Sequence, residues 1–199
     1  MSLKFYNTMT RQKEEFKPIN ENEVKIYTCG PTVYNYVHIG NLRAFLFEDI
    51  LVRYLRYKGY YVNHVMNLTD VDDKTIRDSK ENGMELKDFT KKFANAFFND
   101  IKTLGVLPAS YYPRATMHIN EMVDIIKGLM EKGYAYKSDD GSVYFSITKF
   151  KEYGKLNNLD KSGMEAGRSG RVVSDEYDKD NVSDFVLWKA YSPKDGAVY

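Results

Sequence analysis

A strand, a helix and a second strand succeed one another between residues 24 and 66, and this pattern constrains the fold more than any other feature of the chain. Residues 24–29 (Val-Lys-Ile-Tyr-Thr-Cys) are rich in β-formers and stop at Gly30-Pro31. Residues 42–58 repeat apolar side chains at helical spacing through Leu42, Phe45, Leu46, Ile50, Tyr54 and Leu55. Gly59 follows where a helix-terminating glycine belongs. Residues 60–66 (Tyr-Tyr-Val-Asn-His-Val-Met) read as the second strand. So short a crossover through one helix forces the strands parallel and the connection right-handed. The fold class is therefore α/β. Two clear strands leave such a sheet unfinished, and the chain is expected to stop before its sheet is complete.

Beyond this unit, "NLTDVDDKTIRDSKENG" (67–83) reads as a polar loop entering a short helix. Residues 86–104 predict a longer helix with the stripe Leu86, Phe89, Phe93, Phe97, Ile101 and Leu104. "VLPASYYPRAT" (106–116) is irregular. Residues 118–132 predict a third amphipathic helix, with Ile119, Met122, Val123, Ile126, Leu129 and Met130 on one face. "YAYKSDDGSVYFSI" (134–147) carries the strongest hairpin signal, two β-rich runs around Asp-Asp-Gly-Ser. Residues 151–181 are polar and weakly patterned, and "DFVLWK" (184–189) is a short apolar return.

Composition narrows the classes. The 199 residues, 43% apolar and 29% charged, suit one large or two small globular domains with a real core. A net charge of +1 sets up no global basic field for nucleic acid. A single cysteine excludes an intrachain disulfide. The polar N-terminus shows no apolar signal region. No run approaches the ~20 apolar residues a membrane span needs. A soluble cytoplasmic protein is expected.

The chemistry gathers at the ends of the two strands, where ligands of open α/β sheets bind. His38-Ile39-Gly40-Asn41 lies between the first strand and its helix. A helix N-terminus presents free N–H groups and the positive dipole end, which suit phosphate. His38 and Asn41 add side-chain donors for oxygens that gain charge, and a bare Gly40 lets a flat ring such as adenine lie against the backbone. The alternative is that Asn41 merely caps the helix. Cys29 has three readings: a small buried hydrophobe, a nucleophile with His38 as base, or a metal ligand. His64 and His118 show no ligand spacing with it. Asn67, Thr69 and Asp70 fall at the end of the second strand. Asp70, Asp72 and Asp73 followed by Lys74 suit Mg²⁺ or a substrate ammonium group; alternatively Asp72 and Asp73 are acids at a helix start.

Six blocks in order resemble one family. These are "FYNTMTRQKEEFKP", "YTCGPTVYNYVHIGNLRAFLFEDILVRYL", "NLTDVDDKTI", "YYPRATMHI", "LMEKGYAYKSDDGSVYF" and "DFVLWK". Together they resemble cysteinyl-tRNA synthetases, class I aminoacyl-tRNA synthetases, over nearly the whole chain. The class signature His-Ile-Gly-His here ends in Asn41. The resemblance implies the first half of a Rossmann-like catalytic domain over 1–112, an α+β connective insertion over 113–183, and the start of a return to the catalytic domain over 184–199. It implies an ATP-dependent ligase that activates L-cysteine as cysteinyl-adenylate and passes it to the 3′ end of tRNA(Cys), with Mg²⁺ accompanying ATP. By the same resemblance His38 and Asn41 act on the phosphates, and Gly40 borders the adenosine. Gly30, Thr32 and Thr69 line the amino-acid pocket. Cys29 is one of four ligands to a Zn²⁺ that binds the substrate thiol.

Selection by zinc has a physical logic. Cysteine and serine differ by one atom, a contrast for which a hydrophobic pocket supplies only ~1–3 kcal/mol. A thiolate- and imidazole-bound zinc prefers soft sulfur. The other three zinc ligands, the Lys-Met-Ser-Lys-Ser loop and the anticodon-binding region are expected beyond Tyr199. The chain alone is then an inactive N-terminal part of a monomeric enzyme. Three rivals share some of these features: a cysteine-activating ligase with an amino-sugar acceptor, another nucleotidyltransferase, and a non-catalytic nucleotide- or RNA-binding module. In the insertion, Lys149, Lys151, Lys155, Lys161, Arg168 and Arg171 are cations that can touch tRNA phosphates or simply face solvent.

Overall fold

The computed structural model describes residues 2–157 and 184–193. They form two compact units: Lys17–Ile119, and the residues up to Phe16 together with those from Asn120 onward. In chain order the elements are β1 (Lys4–Asn7), β2 (Gln12–Glu15), β3 (Glu23–Thr28), α1 (Ile39–Tyr57), β4 (Tyr61–Met66), α2 (Asp73–Glu81), α3 (Leu86–Thr103), α4 (Ile119–Glu131), β5 (Ala135–Lys137), β6 (Val143–Phe145) and β7 (Phe185–Trp188).

Within Lys17–Ile119, β3 and β4 pair in parallel from Glu23↔Tyr61 to Thr28↔Met66. The expected βαβ unit is present, and Gly59 ends its helix with φ +91°. The irregular stretch after α3 lies along the other edge of β4. Ser110 N–H donates to the His64 carbonyl at 2.7 Å, Met66 N–H to Tyr111 at 3.1 Å, and Leu68 N–H to Pro113 at 2.8 Å. Pro113 has no N–H to return, which keeps this stretch from becoming a regular strand.

The core of this unit packs Phe89, Phe93, Phe97 and Ile101 of α3 against Phe45 of α1, Met66 and Leu68. The α3 stripe matches the sequence expectation except at Leu104, which caps the helix and is 42% exposed. The α1 stripe needs a larger correction. Ile50 is 64% exposed, and the buried face runs through Phe45, Asp49, Val52 and Leu55. A carboxylate in that stripe hid it from the apolar pattern. Asp49 is tolerated because it accepts from Leu107 N–H at 2.9 Å and from Arg53 Nε at 2.8 Å. Arg53 also donates to the Gly105 carbonyl at 2.7 Å, tying α1 to the end of α3.

In the other unit β5, β6 and β7 form one antiparallel sheet in that order. The expected hairpin is present, and the apolar return at 184–189 supplies its third strand. Buried Asp184 accepts from the Tyr136 hydroxyl and from Ile147 N–H, both at 3.0 Å, which fixes where β7 enters. On α4, Val123, Ile126 and Leu129 are half-buried, whereas Met122 and Met130 are exposed. A short hairpin, β1 with β2, was not expected from the sequence. Gln12–Glu15 is exposed throughout, so no hydrophobic alternation marks it. Among the described residues, no helix is long and apolar enough to cross a membrane.

Candidate active site at the ends of the parallel strands

The chain leaves β3 through Cys29 and Gly30 and leaves β4 through Asn67 and Thr69. Beyond the regular ladder the two exits stay joined. Gly30 N–H donates to Asn67 Oδ1 at 3.1 Å, and Asn67 Nδ2 donates to Thr69 Oγ1 at 3.3 Å. Thr32 and Thr69 form a parallel bridge, with Thr69 N–H on Pro31 O at 3.1 Å and Val33 N–H on Thr69 O at 3.0 Å. The structure thus brings Gly30, Thr32 and Thr69 together. A Cβ at Gly30 would sit 1.8 Å from the Asn67 carbonyl oxygen, so this close backbone approach admits only glycine. Cys29 is exposed, which removes its reading as a buried hydrophobe, and its Sγ lies 3.8 Å from the Gly30 carbonyl oxygen.

Four residues after Tyr34 the chain enters α1, and His38 rather than Asn41 is its N-cap. The helix starts at Ile39, earlier than the apolar pattern indicates. His38 Nδ1 accepts from Gly40 N–H at 2.9 Å, and Asn41 Oδ1 accepts from His38 N–H at 3.2 Å. Each residue therefore serves the helix with one atom and keeps another. With Nδ1 accepting, the neutral ring carries its proton on Nε2. Asn41 keeps its Nδ2 amide as a donor. Ile39, Gly40 and Asn41 bring no acid to the first turn. The bareness of Gly40 has a local cause: a Cβ there would meet His38 Cε1 at 2.7 Å and Nδ1 at 3.0 Å. The imidazole of the cap lies against the bare face of Gly40.

The aspartates after β4 separate into different tasks. Buried Asp70 accepts from the N–H and the hydroxyl of Thr116, at 2.9 and 2.7 Å. Asp72 caps α2 by accepting from Lys74 N–H at 2.9 Å, and its own N–H donates to Thr75 Oγ1 at 2.8 Å. Asp73 sits in the first turn of α2. Lys74 lies 5.1 Å from the centre of the Tyr34 ring. The reading of three aspartates as a Mg²⁺ cradle is therefore corrected. Two of the three are committed to backbone and hydroxyl donors, and among the described residues no group of three His, Cys, Asp or Glu is placed to hold a metal.

Residues 15–199 match the family described as tRNA synthetases class I (C), catalytic domain. The chain belongs to that family. Among its relatives, the cysteine–tRNA ligase of Brachyspira hyodysenteriae is 62% identical over 98% of this chain and 41% of its own length. That of Protochlamydia amoebophila is 52% identical over 99% and 41%, and that of Methanosarcina mazei 54% over 97% and 40%. This synthetase chain therefore spans about 41% of such relatives. Among solved structures, Agrobacterium radiobacter K84 LeuRS, from a LeuRS–tRNA–LeuAMS ternary complex, has the same fold over 67% of this chain and 18% of its own. Its TM-score is 0.53 and its identity 22%.

Sequence reasoning missed one polar cluster beside the end of β3. The Thr28 hydroxyl and His64 Nε2 are 2.9 Å apart, and the Thr28 side chain also acts on the carboxyl of Glu48 on α1. Glu48 Oε2 is buried and, among the described residues, has no partner. Burial holds the Glu48 carboxyl above the usual carboxylate range, against a smaller opposing effect of Thr28. Burial, with help from Arg56, holds His64 below the ordinary imidazole value, opposed by Asp49. The three residues come from three elements, and no local motif links them. In the insertion, Lys155 pairs with Glu152 at 2.7 Å. Lys161, Arg168 and Arg171 lie outside the described residues.

Proposed function

We propose that this chain is the ATP-facing, N-terminal part of a cytoplasmic cysteine–tRNA ligase that works as a monomer. The division into a Rossmann-like first half (1–112), a connective insertion (113–183) and a return (184–199) belongs to the same proposal. The observation that carries the reading is the His38 cap. Its Nδ1 is bound to Gly40 N–H, which leaves Nε2–H as a donor at an N-terminus without acids.

In this reading a carboxylate oxygen of L-cysteine attacks the α-phosphorus of ATP, which is accompanied by Mg²⁺. The bond from that phosphorus to the bridging oxygen breaks, and pyrophosphate leaves with the electron pair. His38 Nε2–H and Asn41 Nδ2 donate to phosphate oxygens as they gain charge. A terminal ribose hydroxyl of tRNA(Cys) then attacks the cysteinyl carbonyl, and AMP departs. Gly30, Thr32 and Thr69, joined at the strand exits, border the amino acid. Cys29 would be one ligand of a zinc ion, which when bound offers the substrate thiol a soft partner that an alcohol matches poorly. Alignment rather than covalent catalysis does most of the work.

The deciding experiment is cysteine-dependent exchange of pyrophosphate into ATP by the full-length polypeptide, followed by charging of tRNA(Cys). Exchange with cysteine but not serine, and transfer to tRNA, are expected. Cysteine-dependent exchange with transfer only to an amino sugar would assign the acceptor differently. No cysteine-dependent exchange would reject the reading.

A further inference from the structure

Cys29 is held from both sides by groups outside its own strand, and we propose that His64 and Asn67 are positioning residues that aim its thiol. The inference rests on the reading of Cys29 as one ligand of the zinc ion that selects the amino acid. The regular ladder ends at Thr28↔Met66, so Cys29 is the first residue without a ladder partner. On its N-terminal side, the Thr28 hydroxyl is anchored to His64 Nε2 at 2.9 Å. His64 is itself only 4% exposed, and its backbone N–H donates to Ser110 Oγ at 3.2 Å. On the C-terminal side, Gly30 N–H is bound by Asn67 Oδ1 at 3.1 Å, and the Gly30 backbone lies against the Asn67 carbonyl.

An exposed strand end would ordinarily be free to fray. Here the residues on either side of the thiol are each fixed to the neighbouring strand or its exit, while the thiol itself meets solvent. Both clamps bind the residues that flank Cys29 and leave its Sγ unbound by them. Close alignment is what a metal-ligating sulfur beside the substrate requires, and a displacement of about 1 Å is costly to the reaction. His64 acts through Thr28, and Asn67 through Gly30; neither needs to touch the substrate.

The chain has one cysteine, so selective ¹⁵N-cysteine labelling gives one backbone amide resonance, that of Cys29. Its order parameter is expected near the rigid value of about 0.85, falling below about 0.6 in Thr28→Val and in Asn67→Ala. Thr28→Ser keeps the hydroxyl and is expected to keep the order, which separates loss of the bond from loss of the fold. In the full-length polypeptide, Thr28→Val should raise KM for cysteine about tenfold while KM for ATP stays put, and Thr28→Ser should restore it. A Cys29 amide that stays ordered in Thr28→Val and Asn67→Ala, or that is already mobile in the unaltered chain, overturns the clamp. Failure of the unaltered full-length polypeptide to exchange pyrophosphate in response to cysteine would instead reject the functional reading, with the amide measurement still judging the clamp.

Discussion

Two helices begin just after the two parallel strands, and both start with a capping box, yet they end up with opposite charge. At α1 the cap is His38 and its reciprocal partner is Asn41; both are neutral in this arrangement, and the first turn holds no acid. At α2 the cap is Asp72, the reciprocal partner is Thr75, and Asp73 follows in the first turn. A helix N-terminus favours negative charge. The start of α2 satisfies that preference from its own sequence. The start of α1 leaves it unmet and adds the Nε2–H and Nδ2 donors. The same local motif thus closes one helix start with acids and the other without them, and the proposed function makes the latter the anion site.

The harshest way to break this contrast is to remove the donor at α1. His38→Ala in the full-length polypeptide should lower cysteine-dependent pyrophosphate exchange by about 10²–10³-fold, the scale of losing one transition-state donor. His38→Asn sharpens the point. Asparagine is a good N-cap, so helix stability should return while exchange stays low. If either variant keeps nearly full exchange, the anion site is not at α1.

Gly40→Ala is expected to act next most strongly. The new Cβ would press on His38 Cε1 at 2.7 Å, and the imidazole must turn off Gly40 N–H. Exchange should fall about tenfold or more, because a donor displaced by a fraction of an ångström loses most of its value in the transition state. Thermal unfolding should move little, since the obstructing atoms belong to an exposed side chain with room to rotate. A large loss of stability with normal exchange would mean that the ring is fixed by something other than the cap.

Asp72→Ala tests the other helix. It removes the acceptor for Lys74 N–H and should cost about 1 kcal/mol of stability, read by denaturant unfolding. KM for ATP should not change. A raised KM for ATP would place the second loop in the nucleotide site and dissolve the distinction between the two helix starts.

Much of this architecture is legible in the residues, for reasons that are themselves physical. The βαβ unit shows because its apolar spacing and Gly59 are local signals. The α3 core shows because Phe89, Phe93, Phe97 and Ile101 recur at one spacing. The start of α1 was misjudged because histidine is an uncommon cap and Asn41, a common one, stands three residues on. Gly30 reads as punctuation, but its reason, a backbone 1.8 Å from any added Cβ, requires the second strand in place. The meeting of Thr28 with His64 spans 36 residues and leaves no periodic trace. Asp72 and Asp73 read correctly as helix acids, while Asp70 turned inward to Thr116, a partner 46 positions away.

The smallest expected effect separates the strand end from the helix starts through pH. His64 titrates below its unfolded value of 6.5 in the folded chain, because burial disfavours its charge. Between those two values the unfolded chain binds more protons, so stability from this group is complete above 6.5 and is lost as pH falls through the folded value. Glu48 runs the other way. Its folded value lies above 4.5, so the native state binds more protons there, and the stability it contributes at low pH is lost as pH rises through the folded value. The two slopes are opposite in sign. Single substitutions uncover them. Glu48→Gln should abolish the gain in stability toward low pH that Glu48 supplies, so that the fall in melting temperature below 6.5 reports His64 alone. His64→Gln should flatten or reverse it. Identical pH profiles for the two variants would show that neither group titrates differently on folding, and the polar bridge beneath Cys29 would then be open to water rather than buried.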